Sequence, residues 1–544
     1  TTINDGNTEI TAKSMAFPNG VTFDSARQRL YVSDQGNNRV LVFDVAPERM
    51  KNQPTALAVL GQRDAVSSSS QILADVSAQD QIYDPRGLAF DSKHQQLYVT
   101  DSHWARLLVF NFHETSRRLE MPANGTRNFS SLDPFMALSA WEVKSGYGQI
   151  AETAQVNAAW TLTRSAFSLE PLTEQQSRIL ISQSSTAIKP LSTTALSFLD
   201  GRKGAKTAVS VVNPGDKASE VRLTIQLDSR RRETITQTLQ PRARLIVWSD
   251  ELIERGFTTA TLRIDSRSPV SVSAWTEREN REGEMLLTAL PVAVGNPVDS
   301  EPVLANITLG GGYQTEIVLL NADQEIARGV LHLLDGTGKE FLSHGYAVDP
   351  GGTLLWQPPA AGLIPKVAYA VARSESDSVA HVFSLTTRAD EGLVTMTSGQ
   401  AVSGILRAQV PINTMPDLIR HGRNTTLTLA IANDSTHGAS VRMILLNLEG
   451  SAVDRAEQLI LPGMQREFTF GGLFDQTKFV GSLVLVSDVH IAVSARQTTV
   501  NVRGDEILTE LPILAKPSGG PLLFPYIDGN GLSTQLSVVA GPEG

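Results

Sequence analysis

The chain has 544 residues, a net charge of −10, 41% hydrophobic and 19% charged residues, and no cysteine. That length asks for several domains, since a single core stops growing near roughly 250 to 300 residues, and the balance of apolar and charged content is that of a folded chain. The acidic balance argues against a nucleic-acid partner, the lack of cysteine excludes disulfides and thiolate chemistry, and no apolar run reaches the roughly 18 residues of a membrane helix.

The chain opens on Thr1 with no charged-then-apolar leader. It is therefore expected to be a processed chain or a segment, which fits an extracellular or cell-surface protein whose signal has been removed. The run Pro18 to Asp44 is echoed by Pro85 to Asn111 at a constant offset of 67, which aligns Gly20 with Gly87, Asp24 with Asp91, Tyr31 with Tyr98, Asp34 with Asp101, Arg39 with Arg106 and Phe43 with Phe110. Each copy reads as three short antiparallel strands with fixed turns, and TALAVLGQ supplies a fourth after the first copy. Such a unit is most of a propeller blade. The pattern resembles the NHL repeat family, with P-x-G, L-Y-V-x-D and, in the first copy, Asn37-Asn38-Arg39. The second copy departs at Trp104 and Ala105 and keeps Arg106. A weaker third copy is expected from Gly148-Gln149 to SRILIS near Ser182. Two or three blades cannot close a ring, so preceding blades or neighbouring subunits are expected to cover the open edges.

From about residue 183 four landmarks recur. Asn213, Pro241, Ser266 and Gly283 are followed by Asn321, Pro350, Ser374 and Gly392, and then by Asn433, Pro462, Ser487 and Gly504; the gaps are 28, 25, 17, then 29, 24, 18, then 29, 25, 17. A period of roughly 110 residues is that of tandem small domains. Runs of five to eight residues such as AVSVVN, EIVLLN and TLAIAN alternate with turn signals and hold no helical period, which predicts antiparallel β-sandwiches of immunoglobulin-like architecture. SDELIERGF and GGLFDQTKF occupy one position in their units, where Ser249 is placed to cap a helical turn, with Leu252 and Ile253 packing beneath. Linkers of about ten residues favour a semi-rigid rod. GGGYQTEIVLLN and SRSPVSVSAW resemble the tandem β domains of large exported proteins of Acidobacteria-type organisms, which implies export and fold but no chemistry.

FPYIDGNGLSTQLSVVAG, near the end, repeats the opening of a unit, with Ala540 standing where Asn321 stands. One or two strands cannot make a sandwich. Either a fourth unit continues past Gly544, or Leu522, Phe524, Ile527, Leu536, Val538 and Val539 lodge as a donor segment in another molecule.

No metalloprotease, nucleophile-elbow, phosphate-loop or EF-hand motif is complete, so no catalytic, cofactor or metal residue is assigned. GAKT (204–207) and GGG (310–312) enter strands and read as turns. His94, His103 and His113 share the blade region, Asp34 and Asp101 hold matching positions, and Arg230 to Arg232 form a basic turn; each reads first as turn chemistry or solvated surface. Asn124, Asn128, Asn306, Asn424 and Asn433 lie in N-x-(S/T) sequons.

The expected organisation is all-β: NHL-like blades over 1–182, sandwiches over 183–296, 297–402 and 403–516, and a partial sandwich or donor tail over 517–544. The first functional reading is a non-enzymatic extracellular structural protein that self-associates end to end into a filament by strand complementation. A surface protein or glycan binder with a propeller head, and an enzyme on a propeller truncated here, are the alternatives.

Overall fold

Strand alternation sends every second side chain to one face, and in these runs that face is apolar: Val221, Leu223 and Ile225; Leu427, Leu429 and Ile431; Val441, Met443 and Leu445. The computed structural model describes residues 2–3, 10–25, 28–45, 47, 54–56, 58–62, 82–93, 96–103, 105–111, 123, 126–130, 144–150, 158–167, 179–227, 231–252, 258–280, 282–295, 301–359, 362, 365–390, 393–401, 404–414, 424–515, 522–528 and 532–540. These residues are all-β apart from a few short helical turns.

The middle sandwich sets the pattern. Its eight strands are, in order, Val303–Leu309, Tyr313–Leu320, Ala327–Asp335, Glu340–Val348, Thr353–Trp356, Lys366–Ser374, His381–Asp390 and Leu393–Gln400. One sheet has the order first, sixth, third, fourth, and the other fifth, second, seventh, eighth, all antiparallel. The same two orders recur in the sandwich before it, whose strands begin at Ser192, and in the one after it, whose strands begin at Ile405. In those two the sixth and seventh strands are one ribbon, Thr259–Glu279 and Val480–Val500, that crosses from one sheet to the other.

The recurring landmarks have physical roles. Asn213, Asn321 and Asn433 are buried at the end of the second strand. Each donates its Nδ2 protons to the carbonyl four residues on (Lys217, Glu325, His437) and to the end of the fourth strand (Leu239, Val348, Ile460) at 2.7–3.1 Å. Each Oδ1 accepts the N–H two residues on. The amide thus ties the third-and-fourth-strand hairpin to the second strand and leaves none of its own polar atoms unpaired in the core. Pro350 and Pro462 open β-turns whose next residue is a left-handed glycine, Gly351 (φ 68) and Gly463 (φ 70); the first sandwich puts Arg242 (φ 55) there.

The stretch 126–187 is a correction to the blade reading. Thr126–Ser130, Lys144–Ile150, Ala158–Phe167 and Leu180–Ala187 pair with the end of the chain: Leu522–Asp528 lies against Lys144–Ile150, and Leu532–Ala540 lies between Thr126–Ser130 and Ala158–Phe167. The order Thr126–Ser130, Leu532–Ala540, Ala158–Phe167, Leu180–Ala187 is fifth, second, seventh, eighth, and Leu522–Asp528 with Lys144–Ile150 is first with sixth. Residues 126–187 and 522–540 together build a fourth sandwich. No third blade forms from Gly148 to Ser182, because those strands find complementary partners at the far end of the chain.

The four sandwiches close on themselves. The first-and-sixth-strand face of each packs on the second, fifth and seventh strands of the next: Phe198 meets Phe383 edge-on at 6.1 Å, Val303, Tyr369 and Val371 cluster with Ala432 and Ala492, Leu514 packs on Val539, and Ser271 Oγ donates to the Leu523 carbonyl at 3.3 Å. The eighth strands touch in cyclic order, Leu180–Ala187 beside Met285–Leu290, then Leu393–Gln400, then Glu506–Leu511, then back. Across that axis Arg503 pairs with Glu284 at 2.8 Å. The expected semi-rigid rod is replaced by a ring, since each sandwich buries its outer face against a neighbour.

Apart from the ring's strands, two antiparallel meanders hold 18–60 and 85–111: Pro18–Asp24, Arg29–Asp34, Arg39–Asp44 and Ala58–Leu60, then Pro85–Asp91, Gln96–Asp101 and Arg106–Asn111.

Candidate functional sites at the ring seam and the meander faces

The six candidate donor residues all lie in the two strands at the seam of the ring. Leu522, Leu536, Val538 and Val539 are buried, Leu522 and Leu536 in a cluster with Leu162 and Ile188. Phe524 pairs with Gly148 and Ile527 with Ser145 through the backbone; their side chains lie outside the described residues. The shelter expected in another molecule is supplied by residues 126–187 of the same chain, because those strands occupy the fifth-to-eighth positions that a lone first and second strand require. Ala540, at the asparagine position, fits this: among the described residues the fourth sandwich has no third-and-fourth-strand hairpin for an asparagine to clamp.

The axis carries buried charge. Arg496 donates to Thr308 Oγ1 at 3.0 Å and from Nε to Glu510 at 3.2 Å, while Ser494 Oγ also donates to Glu510. Burial raises the Glu510 carboxyl above its ordinary value, a shift that Arg496 opposes. Replacing one member of this pair within the third sandwich would leave an uncompensated charge, and Arg496, through its bonds to Thr308 Oγ1 and the Asn306 carbonyl, also ties the third sandwich to the second.

The two meanders stack face to face. Tyr31 lies on Phe90 with ring centroids 5.5 Å apart and planes 13° from parallel, and Val40, Val42, Leu97 and Val99 fill the layer. Gly20 is required by this approach: a Cβ there would stand 2.3 Å from the Arg86 carbonyl oxygen. Asp34 and Arg39 form a fully buried pair at 2.7 Å; Asp34 also accepts the Ala16 N–H, and Arg39 donates to the Thr11 and Ser14 carbonyls. Asp101 and Arg106 repeat the pair at 3.0 Å. Both aspartates are therefore committed to turn-locking ion pairs.

Part of each outer face of this stack is open, although on the first meander Leu41 and Phe43 are buried with Met15, Ala56 and Val59. Leu107 and Val109 are 56% and 44% exposed on one side, and Val21 and Phe23 are 62% and 45% exposed on the other. The 67-residue offset equates Tyr98, Leu107 and Val109 with Tyr31, Val40 and Val42, and Val21 and Phe23 with Leu88 and Phe90. Some of the side chains that make the internal interface thus recur exposed on the outer faces, while Leu30, Val32, Leu41 and Phe43, the counterparts of Leu97, Val99, Leu108 and Phe110, pack with Met15, Ala56 and Val59. This correspondence was within reach of the sequence, since the offset was visible there.

The remaining candidates stay apart. His103 is exposed and lies against Tyr83 with ring centroids 4.2 Å apart and planes tilted by 50°, while His94 and His113 lie outside the described residues. Among the described residues no group of three or more histidine, aspartate or glutamate side chains could hold a metal. Gly204 and Gly310 to Gly312 have positive φ in turns that enter strands. Arg232 opens an exposed strand, and Arg230 lies outside the described residues. Ser249 Oγ accepts the Thr207 N–H, and Leu252 is buried beneath its turn; Ile253 lies outside the described residues. No helix among the described residues is long and apolar enough to cross a membrane.

No protein-family model matches the chain, and no curated protein matches it. Among solved structures it is similar to Thermotoga maritima 1070 (14% identity over 18% of this chain and 93% of that one, TM-score 0.16). It is also similar to the triple jelly roll of an archaeal virus turret (10%, covering 78% and 99%, TM-score 0.16) and to a tetra-tandem repeat from the extending region of a large adhesion protein (9%, covering 91% and 98%, TM-score 0.10). At these TM-scores none of the likenesses carries an argument about fold or function.

Proposed function

We propose that the protein is a non-enzymatic extracellular structural protein that self-associates end to end, with the closed ring as its rigid body and the meanders, read as NHL-type blades, as its joints. One observation carries this reading: Val21 and Phe23 on one outer face, and Leu107 and Val109 on the other, are exposed at positions equivalent to residues of the apolar layer between the two meanders. In the joint, Tyr98, Leu107 and Val109 of one copy cover Val21 and Phe23 of the next, with Tyr98 over Phe23 as Tyr31 lies over Phe90. Such a contact joins two different patches, so it propagates until rotation closes it, giving a filament or a closed propeller shared between copies. Strand donation, expected between copies, has an in-chain acceptor and is not needed for the joint.

Sedimentation velocity over a range of concentrations tests this. The protein should associate beyond the monomer, and Leu107→Glu with Val109→Lys should abolish association without changing the thermal transition. A protein that stays monomeric at high concentration, or variants that associate as well as the parent, would sink the proposal.

A further inference from the structure

The stack of the two meanders is polar at its rim. Asp84, just before the first strand of the second meander, donates its backbone N–H to Asn38 Oδ1 at 2.9 Å, and its carboxylate accepts from Gln35 Nε2 at 2.5 Å. Ser33 Oγ adds a bond to the Arg86 carbonyl at 3.1 Å. The offset of 67 carries Asp84 back to Phe17, and carries Ser33, Gln35 and Asn38 forward to Thr100, Ser102 and Ala105. On the outer faces the charged residue has become a phenylalanine and the amide it meets an alanine. Thr100 keeps the hydroxyl and accepts the Gly87 N–H, as Ser33 accepts the Gly20 N–H. The backbone is the same at both places: Asn38 and Ala105 have φ 54 and 47, and Asp84 and Phe17 have φ 58 and 51. Aspartate and asparagine tolerate that left-handed region, whereas a bulky aromatic residue is strained in it. Phe17 is also 72% exposed, more than any other large apolar side chain among the described residues. A strained ring facing water costs the isolated meander stability, and contact with a partner is what offsets such a cost.

We infer that Phe17 and Ala105 set the specificity of the contact between copies: Phe17 of one copy seats on the Ala105 turn of another, where within the chain Asp84 seats on Asn38. The inference rests on the self-association proposed above and adds which residues decide what pairs with what. Asp84 brought to Ala105 finds no amide oxygen for its N–H and no Gln35 amide for its carboxylate. Phe17 brought to Asn38 leaves Gln35 without that carboxylate and lays a ring on an amide. Each mismatch strands polar groups that the matched pair satisfies, so the two contacts exclude one another's partners. First and second meanders therefore alternate along the assembly, and it runs in one direction.

The test compares the full chain with its variants by sedimentation velocity, for the association constant, and by hydrogen exchange at dilutions where each is monomeric. Phe17→Asp should weaken association at least tenfold and yet raise protection over residues 18–44 of the monomer, because aspartate tolerates the backbone that strains phenylalanine. Ala105→Asn should also weaken association by itself. Phe17→Asp combined with Ala105→Asn should associate at least fivefold more tightly than Phe17→Asp alone, since it rebuilds between copies the pair that Asp84 and Asn38 make within the chain. Phe17→Tyr should associate as the parent does. Undiminished association of Phe17→Asp, or a double variant no tighter than Phe17→Asp, would overturn the inference while leaving self-association standing; a parent that stays monomeric would remove both. Loss of association together with loss of protection in Phe17→Asp would assign Phe17 to packing within its own meander and overturn the inference as well. If Phe17→Asp fails to fold, Ala105→Asn decides: association as tight as the parent's would overturn the inference.

Discussion

Closure of the ring within one chain can be caught covalently. Thr163 and Gln535 stand opposite each other in the antiparallel pair of Ala158–Phe167 with Leu532–Ala540. The chain has no cysteine, so Thr163→Cys with Gln535→Cys creates a single thiol pair with no competitors. Both residues are half-buried, which spares the core. Opposed antiparallel residues hold their Cβ atoms about 4.5–5.5 Å apart, and a disulfide takes about 3.5–4.5 Å, so the ladder need close only slightly. The bond would close a loop of about 370 residues, for which the chain-entropy relation gives about 6 kcal/mol, reduced by whatever strain the ladder absorbs. Oxidised at low concentration, the variant should run on a non-reducing gel as a monomer of altered mobility, and its urea midpoint should fall on reduction. Disulfide-linked dimers or ladders that grow with concentration, with no internally bridged monomer, would refute in-chain closure and restore donation between copies.

Four further outcomes follow from particular residues. Arg39→Met removes one half of the fully buried pair with Asp34 and should cost about 3–5 kcal/mol, seen as loss of hydrogen-exchange protection in the first meander while the ring keeps its own. Arg242→Gly should stabilise the first sandwich by about 0.5 kcal/mol in urea unfolding, since a left-handed non-glycine costs about 1–2 kcal/mol and glycine gives back about 0.5–1 kcal/mol in chain entropy. Burial lowers His381 below its ordinary 6.5, so the unfolded chain takes up a proton that the folded chain resists; stability should fall as pH drops from 6.5 through the lowered value, and His381→Asn should flatten that part of the urea-midpoint curve. In a glycosylating host, mass spectrometry should find glycan at the exposed Asn424 and none at the buried Asn306 and Asn433.

The all-β class and the tandem sandwiches were legible because alternation and turn residues act locally, and the constant gaps between Asn, Pro, Ser and Gly landmarks report geometry that each sandwich needs separately. Asn321 illustrates the limit. Its spacing is plain in the sequence, but the clamp joining it to Glu325 and Val348 is visible only once the hairpin is folded. The seam was not legible. Strands 126–187 lack the asparagine and proline landmarks, since they supply the last four positions of a sandwich whose first two lie at the other end of the chain. One signal was available: Ala159-Trp160-Thr161 repeats Ala274-Trp275-Thr276 of a seventh strand, and it marks 158–167 as a sandwich strand rather than a blade.

The ring and the meanders face the same problem and meet it differently. A sandwich or blade that stacks through two unlike faces always leaves one of each uncovered at the ends of the stack. In the ring, strands 522–540 return to pair with 126–187, so the last face meets the first and Leu522, Leu536, Val538 and Val539 at the seam are buried. The two meanders bury one layer between them and leave Val21 and Phe23, and Leu107 and Val109, exposed. A patch of this kind on a folded protein marks a contact surface more often than an ornament. Because the exposed residues stand at positions equivalent to residues of the layer between the meanders, the partner that fits them best by shape and chemistry is another copy of the same pair.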